Sequence, residues 1–298
     1  KMAKSSNKLD KRCVDYIKDR MPMIGVGTYQ VQSESILRET IDEAFKIGYR
    51  FIDTAQIYRN EETLGRILPG LLDKHFLSRE DIFITSKVSP TNQGKTKTIK
   101  SVLKSLQDLK TSYIDLVLIH WPGTSKLKSN HKDNAILRAE TYAALEGLLE
   151  EGKIRSIGVS NYEICHLQQL LSQCRYIPGV NQCECHPHFP NKELSEWCKD
   201  NDIHFQAYSS LGGPGYVKDL LADKKIKEIA DAHDTTSAVI LLAWGLTKGY
   251  SVLPRTEKVD RISQNWKCLK IKLSEDELNG IDSIDTSHKA CWDPTVVV

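Results

Sequence analysis

One unit recurs along this chain: a short apolar run, then a stripe of apolar residues at helical spacing. Eight copies follow one another with no linker, low-complexity segment or internal sequence repeat between them. Met23 to Gly27 reads as the first strand. Leu37, Ile41, Ala44 and Phe45 then share one face of a helix that stops at Gly48. Phe51-Ile52 is a strand ending on Asp53, and Leu64, Ile67 and Leu71 mark the next helix, beginning near Glu62. Strand Ile82 to Lys87 precedes the stripe Ile99, Val102, Leu103, Leu106 and Leu109. Ile114 to Ile119 is apolar except for Asp115, the pattern of a parallel strand covered on both faces.

The second half continues the alternation. A helix through Tyr142, Leu145, Leu148 and Leu149 ends at Gly152, and a strand runs from Ile154 to Val159. Ile164, Leu167, Leu170 and Leu171 form a helix before a strand that carries Gln182. Leu194 and Trp197 precede a strand ending near Ala207-Tyr208. A helix from about Ser237, a last strand Ser251 to Leu253 and a helix with Ile262 and Trp266 complete the series. A further helix starts at Ser274, with Glu277 closing a capping box. Eight such units in 298 residues predict an α/β chain folded as a single closed (β/α)8 barrel. The expected domain spans 1–298, with an N-terminal extension over about 1–20 and a C-terminal tail over about 286–298. An open doubly wound sheet is the competing architecture. It would carry a glycine-rich phosphate turn after the first strand, and Gly25-Val26-Gly27 lacks the third glycine.

Bulk properties narrow the function. With a net charge of +2, neither nucleic acid nor an anionic membrane is an expected partner. Lys1 to Arg12 has no apolar core of a signal peptide, and no apolar run is long enough to cross a bilayer. Eight scattered cysteines in a chain this long read as reduced thiols, so a cytoplasmic location is expected. Cys183-Glu184-Cys185-His186-Pro187-His188 places soft and imidazole ligands close together. No second ligand pair stands at zinc-finger spacing, and these residues read as core and loop, with no metal.

In a barrel, chemistry gathers where strands end. Those ends are Thr28 and Tyr29, Asp53, Lys87, His120 and Trp121, Ser160 and Asn161, Gln182, Tyr208 and Ser209, and Arg255 and Thr256. Lys87, His120 and Asp53 directly continue apolar runs, so they point into the mouth, where a buried charge needs a partner. Tyr58 lies in the loop after Asp53. Its phenol has a reference pKa of about 10, which a nearby Lys87 ammonium is expected to lower, making Tyr58 a general acid. Asp53 would hold Lys87 charged, and His120 would hydrogen-bond a substrate oxygen. This set suits protonation of an oxygen as negative charge develops on it, the step carbonyl reduction requires alongside hydride delivery from a nicotinamide.

A cofactor surface is also legible. Tyr208 can stack under a nicotinamide ring, and Ser160, Asn161 and Gln182 can bind a carboxamide. The segment from Val252 to Asn265 leads from the last strand into a helix, where barrels often bind phosphate. Arg255, Arg261 and the Thr256 hydroxyl would clamp a phosphate monoester, which favours NADPH over NADH. Thr28, Tyr29 and Asp53 complete the expected cofactor-facing set. Tyr29, Tyr58, His120, Trp121 and Trp292 are the expected substrate walls. The loop from Gly123 to Asn134, with Lys126, Lys128, His131 and Lys132, reads as a solvated face.

Gly48-Tyr49-Arg50-Phe51-Ile52-Asp53-Thr54-Ala55 with Tyr58 and Asn60-Glu61 resembles the first signature of the aldo-keto reductases. Leu118 to Pro122, Gly158 to Tyr162, and Leu253-Pro254-Arg255-Thr256 through Arg261 to Asn265 are similar to the family's later motifs. The resemblance runs from Met23 to about Asn265. It implies a catalytic tetrad of Asp53, Tyr58, Lys87 and His120 and NADPH-dependent reduction of aldehydes and ketones by a monomer. It further implies nicotinamide contacts on Ser160, Asn161, Gln182 and Tyr208, and pyrophosphate contacts on Ser209 and the Leu211 backbone. The 2′-phosphate and adenine would meet Arg255, Thr256, Arg261, Gln264 and Asn265. Tyr29 and Gln264 depart from the common pattern, which has tryptophan and often glutamate there. The loop Gly212 to Tyr216 is shorter than in mammalian aldose reductases, so no long loop closing over the cofactor is expected. Two other readings compete: a barrel lyase using Lys87 as a Schiff-base amine, and a non-catalytic structural or accessory protein of the same fold.

Overall fold

The structure is a computed structural model that describes residues 9–298. Residues 1–8, part of the N-terminal stretch read as an extension without a signal peptide, lie outside the described residues. Eight parallel strands follow one another around a ring in chain order: β1 (Val26–Gly27), β2 (Phe51–Asp53), β3 (Phe83–Val88), β4 (Ile114–Ile119), β5 (Ile154–Ser160), β6 (Val180–Glu184), β7 (His204–Tyr208) and β8 (Ser251–Val252). The register is regular, for example Asp53 beside Thr85, Lys87 beside Leu118, and Gln182 beside Gln206. The ring closes between its ends through bridges Ile24 to Val252 and Gly27 to Arg255. The Gly25 amide donates to the Val252 carbonyl at 3.0 Å and the Gly27 amide to that of Pro254 at 3.1 Å. The fold is a (β/α)8 barrel.

Twelve α-helices are described: α1 (Arg12–Arg20), α2 (Glu34–Ile47), α3 (Glu61–Lys74), α4 (Lys95–Asp108), α5 (Asp133–Glu150), α6 (Ile164–Leu171), α7 (Lys192–Asp200), α8 (Val217–Leu221), α9 (Lys224–Ala232), α10 (Ser237–Thr247), α11 (Val259–Trp266) and α12 (Glu275–Asp282). The expected signals operate. Ser33 caps α2 through the Ile36 amide, Gly48 ends it at φ 123°, and Ser274 and Glu277 form the capping box of α12.

Three elements were not anticipated. Within the expected N-terminal extension, α1 forms a helix, with Ile17 joining the buried cluster that holds Phe51, Phe83 and Val180. The extra pair α8 and α9 stands between β7 and α10. The signal for α9 was present: Ile226, Ile229 and Ala230 are buried at helical spacing, and Asp223 caps the helix through the amides of Lys225 and Ile226.

Strand alternation divides the barrel interior by height. Phe51, Phe83, Leu116, Leu118, Val180 and Leu253 form an apolar plug with Met21 and Ile17. Gly158 belongs to this floor, because an added Cβ would stand 2.6 Å from both Val180 O and a Leu118 methyl. On the same faces, toward the strand ends, come Asp53, Lys87 and Gln182, with His120 just past the end of β4. The larger core lies between strands and helices. Asp115, the odd residue of β4, is buried there. It accepts from the Tyr16 hydroxyl at 2.7 Å, Arg79 at 2.6 Å and the Ile84 amide at 2.9 Å, tying α1 to the sheet. Among the described residues no helix is long and apolar enough to cross a membrane.

Candidate active site

Lys87 centres the mouth. Its side chain is 0 % exposed, and its ammonium donates to Asp53 Oδ1 at 2.6 Å, to the Thr54 carbonyl at 3.0 Å and to the Tyr58 hydroxyl at 3.2 Å. All three N–H donors are therefore used. Burial pulls the Lys87 pKa down, and the Asp53 carboxylate opposes that. Tyr58 comes from the short turn Gln56–Tyr58 just after β2. Its ring meets that of Tyr29 edge-on at 5.2 Å and that of His120 at 5.8 Å. The four residues read as a cluster from the strand ends do converge.

One expectation about them is corrected. The Tyr58 phenol is not acidified: burial, followed by the fields of Asp53 and Tyr29, raises its pKa well above the ordinary value. Enclosure of the ring is the main reason, and Asp53 adds to it by offsetting the charge of the same ammonium that was to stabilise a phenolate. Tyr58 is thus held as a neutral phenol. Its oxygen accepts from Lys87, and its own O–H stays available as a donor. Burial and the neighbouring Lys87 charge depress His120 well below the ordinary imidazole value, so the ring is neutral. Its Nδ1 is buried without a partner among the described residues.

The residues read as cofactor contacts fall into two groups. At the tips of β5 to β7, Ser160 Oγ donates to the Gln182 carbonyl at 2.8 Å. Asn161 Nδ2 donates to the His120 carbonyl at 3.0 Å and to Ser160 Oγ at 3.1 Å. Tyr208 donates its hydroxyl to Asn161 Oδ1 at 2.7 Å, which anchors the edge of its ring. Asn161 and Ser209 adopt left-handed backbone, φ 63° and 50°, a conformation that collects at functional sites. Ser209 Oγ lies 3.5 Å from Cys291 Sγ, and Leu211 is half-buried against the outer core. Thr28 is buried and donates its hydroxyl to the Asp53 carbonyl at 2.9 Å, supporting that strand end.

The second group sits beyond β8. Arg255, Arg261 and Gln264 are exposed, whereas Thr256 and Asn265 are buried. Thr256 Oγ accepts from the Lys258 amide at 3.0 Å just before α11. Arg255 donates to the Tyr29 carbonyl at 2.9 Å and to Glu257 at 2.7 Å, so it arches back over the first loop. Of the substrate walls, Trp121 and Trp292 meet edge-on at 6.2 Å, and Trp292 is 78 % exposed.

Three site residues escaped the sequence reading. Asn60 donates to the carbonyls of Thr28 and Val31 and accepts from Thr54, fastening the first two mouth loops together. Gln206 is wholly buried and pairs with Gln182 at 2.7 Å. Glu184 is a buried carboxylate that accepts from the amides of Ala290 at 2.7 Å and Cys291 at 3.0 Å and from Lys289 at 3.3 Å. A signal existed for the last two, since each is polar and in phase with inward-facing residues of its strand. The cysteine and histidine cluster is engaged by the protein. Cys183 donates to Asn181, Cys185 to the Pro190 carbonyl, His186 contacts Glu184, and His188 contacts Tyr216 and Asp223. All eight cysteines are unpaired.

The profile of the Aldo/keto reductase family matches residues 23–286. Glyoxal reductase of Bacillus subtilis is 37% identical over 274 residues, 92% of each chain. A 9,11-endoperoxide prostaglandin H2 reductase of Trypanosoma cruzi is 36% identical over 275 residues, again 92% of each. Among solved structures, an aldo-keto reductase enzyme from a Medee basin deep-sea metagenome library superposes with a TM-score of 0.84 at 37% identity, covering 92% of this chain and 95% of that one. The aldose reductase of Schistosoma japonicum superposes with a TM-score of 0.82 at 32% identity, covering 90% of each.

Proposed function

The chain belongs to the aldo/keto reductase family, and from that premise we propose that it reduces aldehydes and ketones to alcohols with NADPH, Tyr58 serving as the general acid. One observation carries the reading: a fully buried ammonium, Lys87, donates at once to Asp53 and to the phenol of Tyr58, beside a neutral His120. Since an ammonium only donates, the Tyr58 oxygen is an acceptor toward Lys87, and its own proton is free for a carbonyl oxygen. As negative charge develops on that oxygen, the Lys87 charge stabilises the phenolate left behind. His120, as a neutral ring, offers one N–H to the same oxygen and fixes its position. Asp53 keeps the buried lysine charged.

Bound NADPH would supply the hydride. The residues present fit such a group. The flat ring of Tyr208 is fixed through Asn161, and Gln182 and Ser160 border the same strand tips. Exposed cations, Arg255 and Arg261, stand around the start of α11 where a 2′-phosphate can be paired. Eight unpaired cysteines favour a reducing, cytoplasmic setting. A Schiff-base role for Lys87 is disfavoured, because its nitrogen is charged and all its protons are engaged.

The test is Tyr58→Phe. It should lower kcat for reduction of an aromatic aldehyde by about a hundredfold or more while NADPH binding, followed by fluorescence, stays near wild type. Wild-type turnover by that variant would remove Tyr58 from the mechanism. NADPH binding by the wild-type protein without reduction of any carbonyl would favour the non-catalytic reading.

A further inference from the structure

Gln182 is a carboxamide whose two ends do opposite things, and which end faces outward is set from behind. Asp53 is a hydrogen-bond acceptor, so the Gln182 group lying 2.9 Å from Asp53 Oδ2 is its NH2. The second hydrogen of that NH2 goes to Gln206 Oε1 at 2.7 Å. Gln206 must then turn its own NH2 the other way, and it does. It donates to Ser251 Oγ at 2.9 Å and contacts the Met21 sulfur at 3.6 Å. Ser251 passes the direction on. Its backbone amide donates to His204 Nε2 at 3.3 Å, which makes that nitrogen an acceptor, and its hydroxyl donates to the same nitrogen at 2.9 Å. Every link from His204 on β7, through Ser251 on β8, to Asp53 on β2 has one allowed polarity.

We propose that Gln206 is a positioning residue that locks Gln182 with its amide nitrogen turned inward to Asp53, so that Gln182 presents only its carbonyl oxygen to a ligand in the mouth. The inference rests on the dinucleotide reading above. Under that reading, Gln182 recognises a carboxamide by accepting from its NH2, a preference that discriminates a nicotinamide amide from the corresponding acid. Without the Gln206 acceptor, one hydrogen of Gln182 loses its partner inside the protein. Asp53 alone then holds the amide, by one hydrogen bond where there were two, and the carbonyl oxygen is less firmly aimed at a ligand.

Gln206→Met keeps the length and burial of the side chain and removes its amide. Binding of NADPH and of 2′-phospho-ADP-ribose, which lacks only the nicotinamide, is measured by titration calorimetry. NADPH should weaken about five- to tenfold in the variant, and 2′-phospho-ADP-ribose should stay within about twofold, because the loss is confined to one neutral hydrogen bond at the nicotinamide end. Gln206→Glu, which when protonated again has one acceptor and one donor, should restore most of the NADPH affinity at mildly acid pH. Unchanged NADPH affinity in Gln206→Met, or equal weakening of both ligands, overturns the proposal. If Gln206→Met does not fold, Ser251→Ala loosens the chain one link further back and must show the same split at smaller amplitude. No split there also overturns it. If wild-type protein binds neither ligand, the dinucleotide reading itself fails and takes this inference with it.

Discussion

Arg255 illustrates how a charged residue can be legible by type and yet be deployed in a way only the fold reveals. Its place after the last strand makes it the proposed phosphate ligand, and in the structure it is already paired with Glu257 and bridged to the Tyr29 carbonyl. That pair is exposed on both sides and weak, so a phosphate dianion can displace the carboxylate. Arg255→Ala should weaken NADPH by about tenfold or more and NADH by less than about threefold. The two dissociation constants measure this, and equal losses would remove the 2′-phosphate assignment. Tyr58 carries the opposite lesson. Its position after Asp53 identified it, but the direction of its pKa shift was misread, because loop position says nothing about depth. A phenol enclosed between Tyr29 and His120, with Asp53 near, keeps its proton. Gln206 was passed over because its partner lies on a neighbouring strand and only the β6–β7 register brings the two amides together.

At the level of elements, strands and helices were read well where one periodicity ran long enough to dominate. The same reading failed for α1, whose sequence is mostly charged and whose buried side is only Cys13, Val14 and Ile17. The tail after α12 was expected only as a tail, yet it is held down. Glu184, at the end of β6, receives the Ala290 and Cys291 amides and Lys289, and the imidazole of His188 joins Tyr216 and Asp223 beneath the same segment. The His288 ring stacks on Tyr216 at 3.9 Å. Against the upward pull of its own burial, the His186 hydrogen bond, the Lys289 charge and the Ala290 and Cys291 amides hold the Glu184 carboxyl down to about 2. Glu184→Gln would set an NH2 against at least one backbone amide and free the segment that brings Trp292 to Trp121. The expected result is faster proteolytic cleavage near 286–291, a melting temperature lower by a few degrees, and a KM for bulky aldehydes changed more than kcat. Unaltered cleavage would show that the tail is held by other contacts.

For the molecule as a whole, buried neutral histidines make acid the weak side. Burial brings the His204 pKa down to about 4, and His120 and His166 are also depressed, chiefly by burial. In the unfolded chain each takes up a proton near 6.5, while the folded protein resists until lower pH. The unfolded state therefore binds more protons between about 6.5 and 4, and stability is lost as pH falls through that window. Glu184 adds to the loss below the ordinary carboxylate range, where the unfolded chain protonates it and the fold does not. His204 by itself should contribute on the order of 3 kcal/mol over that window. Melting curves from pH 8 to 4.5 should show a steady fall below pH 6.5, and a flat profile to pH 5 would contradict these buried neutral rings.

The order of the eight strands, the barrel and the placing of Asp53, Lys87 and His120 at strand ends were determined by the sequence alone, because they rest on periodicity, a local property. Tertiary structure decided the rest: that Tyr58 stays protonated, that Gln182 spends its amide nitrogen inward, and that Glu184 ties down the tail. Each of these depends on burial and on distances of about 3 Å between residues far apart in the chain, as with the 129 positions that separate Gln182 from Asp53. Hydrogen-bond direction and desolvation exist only once the ring has closed.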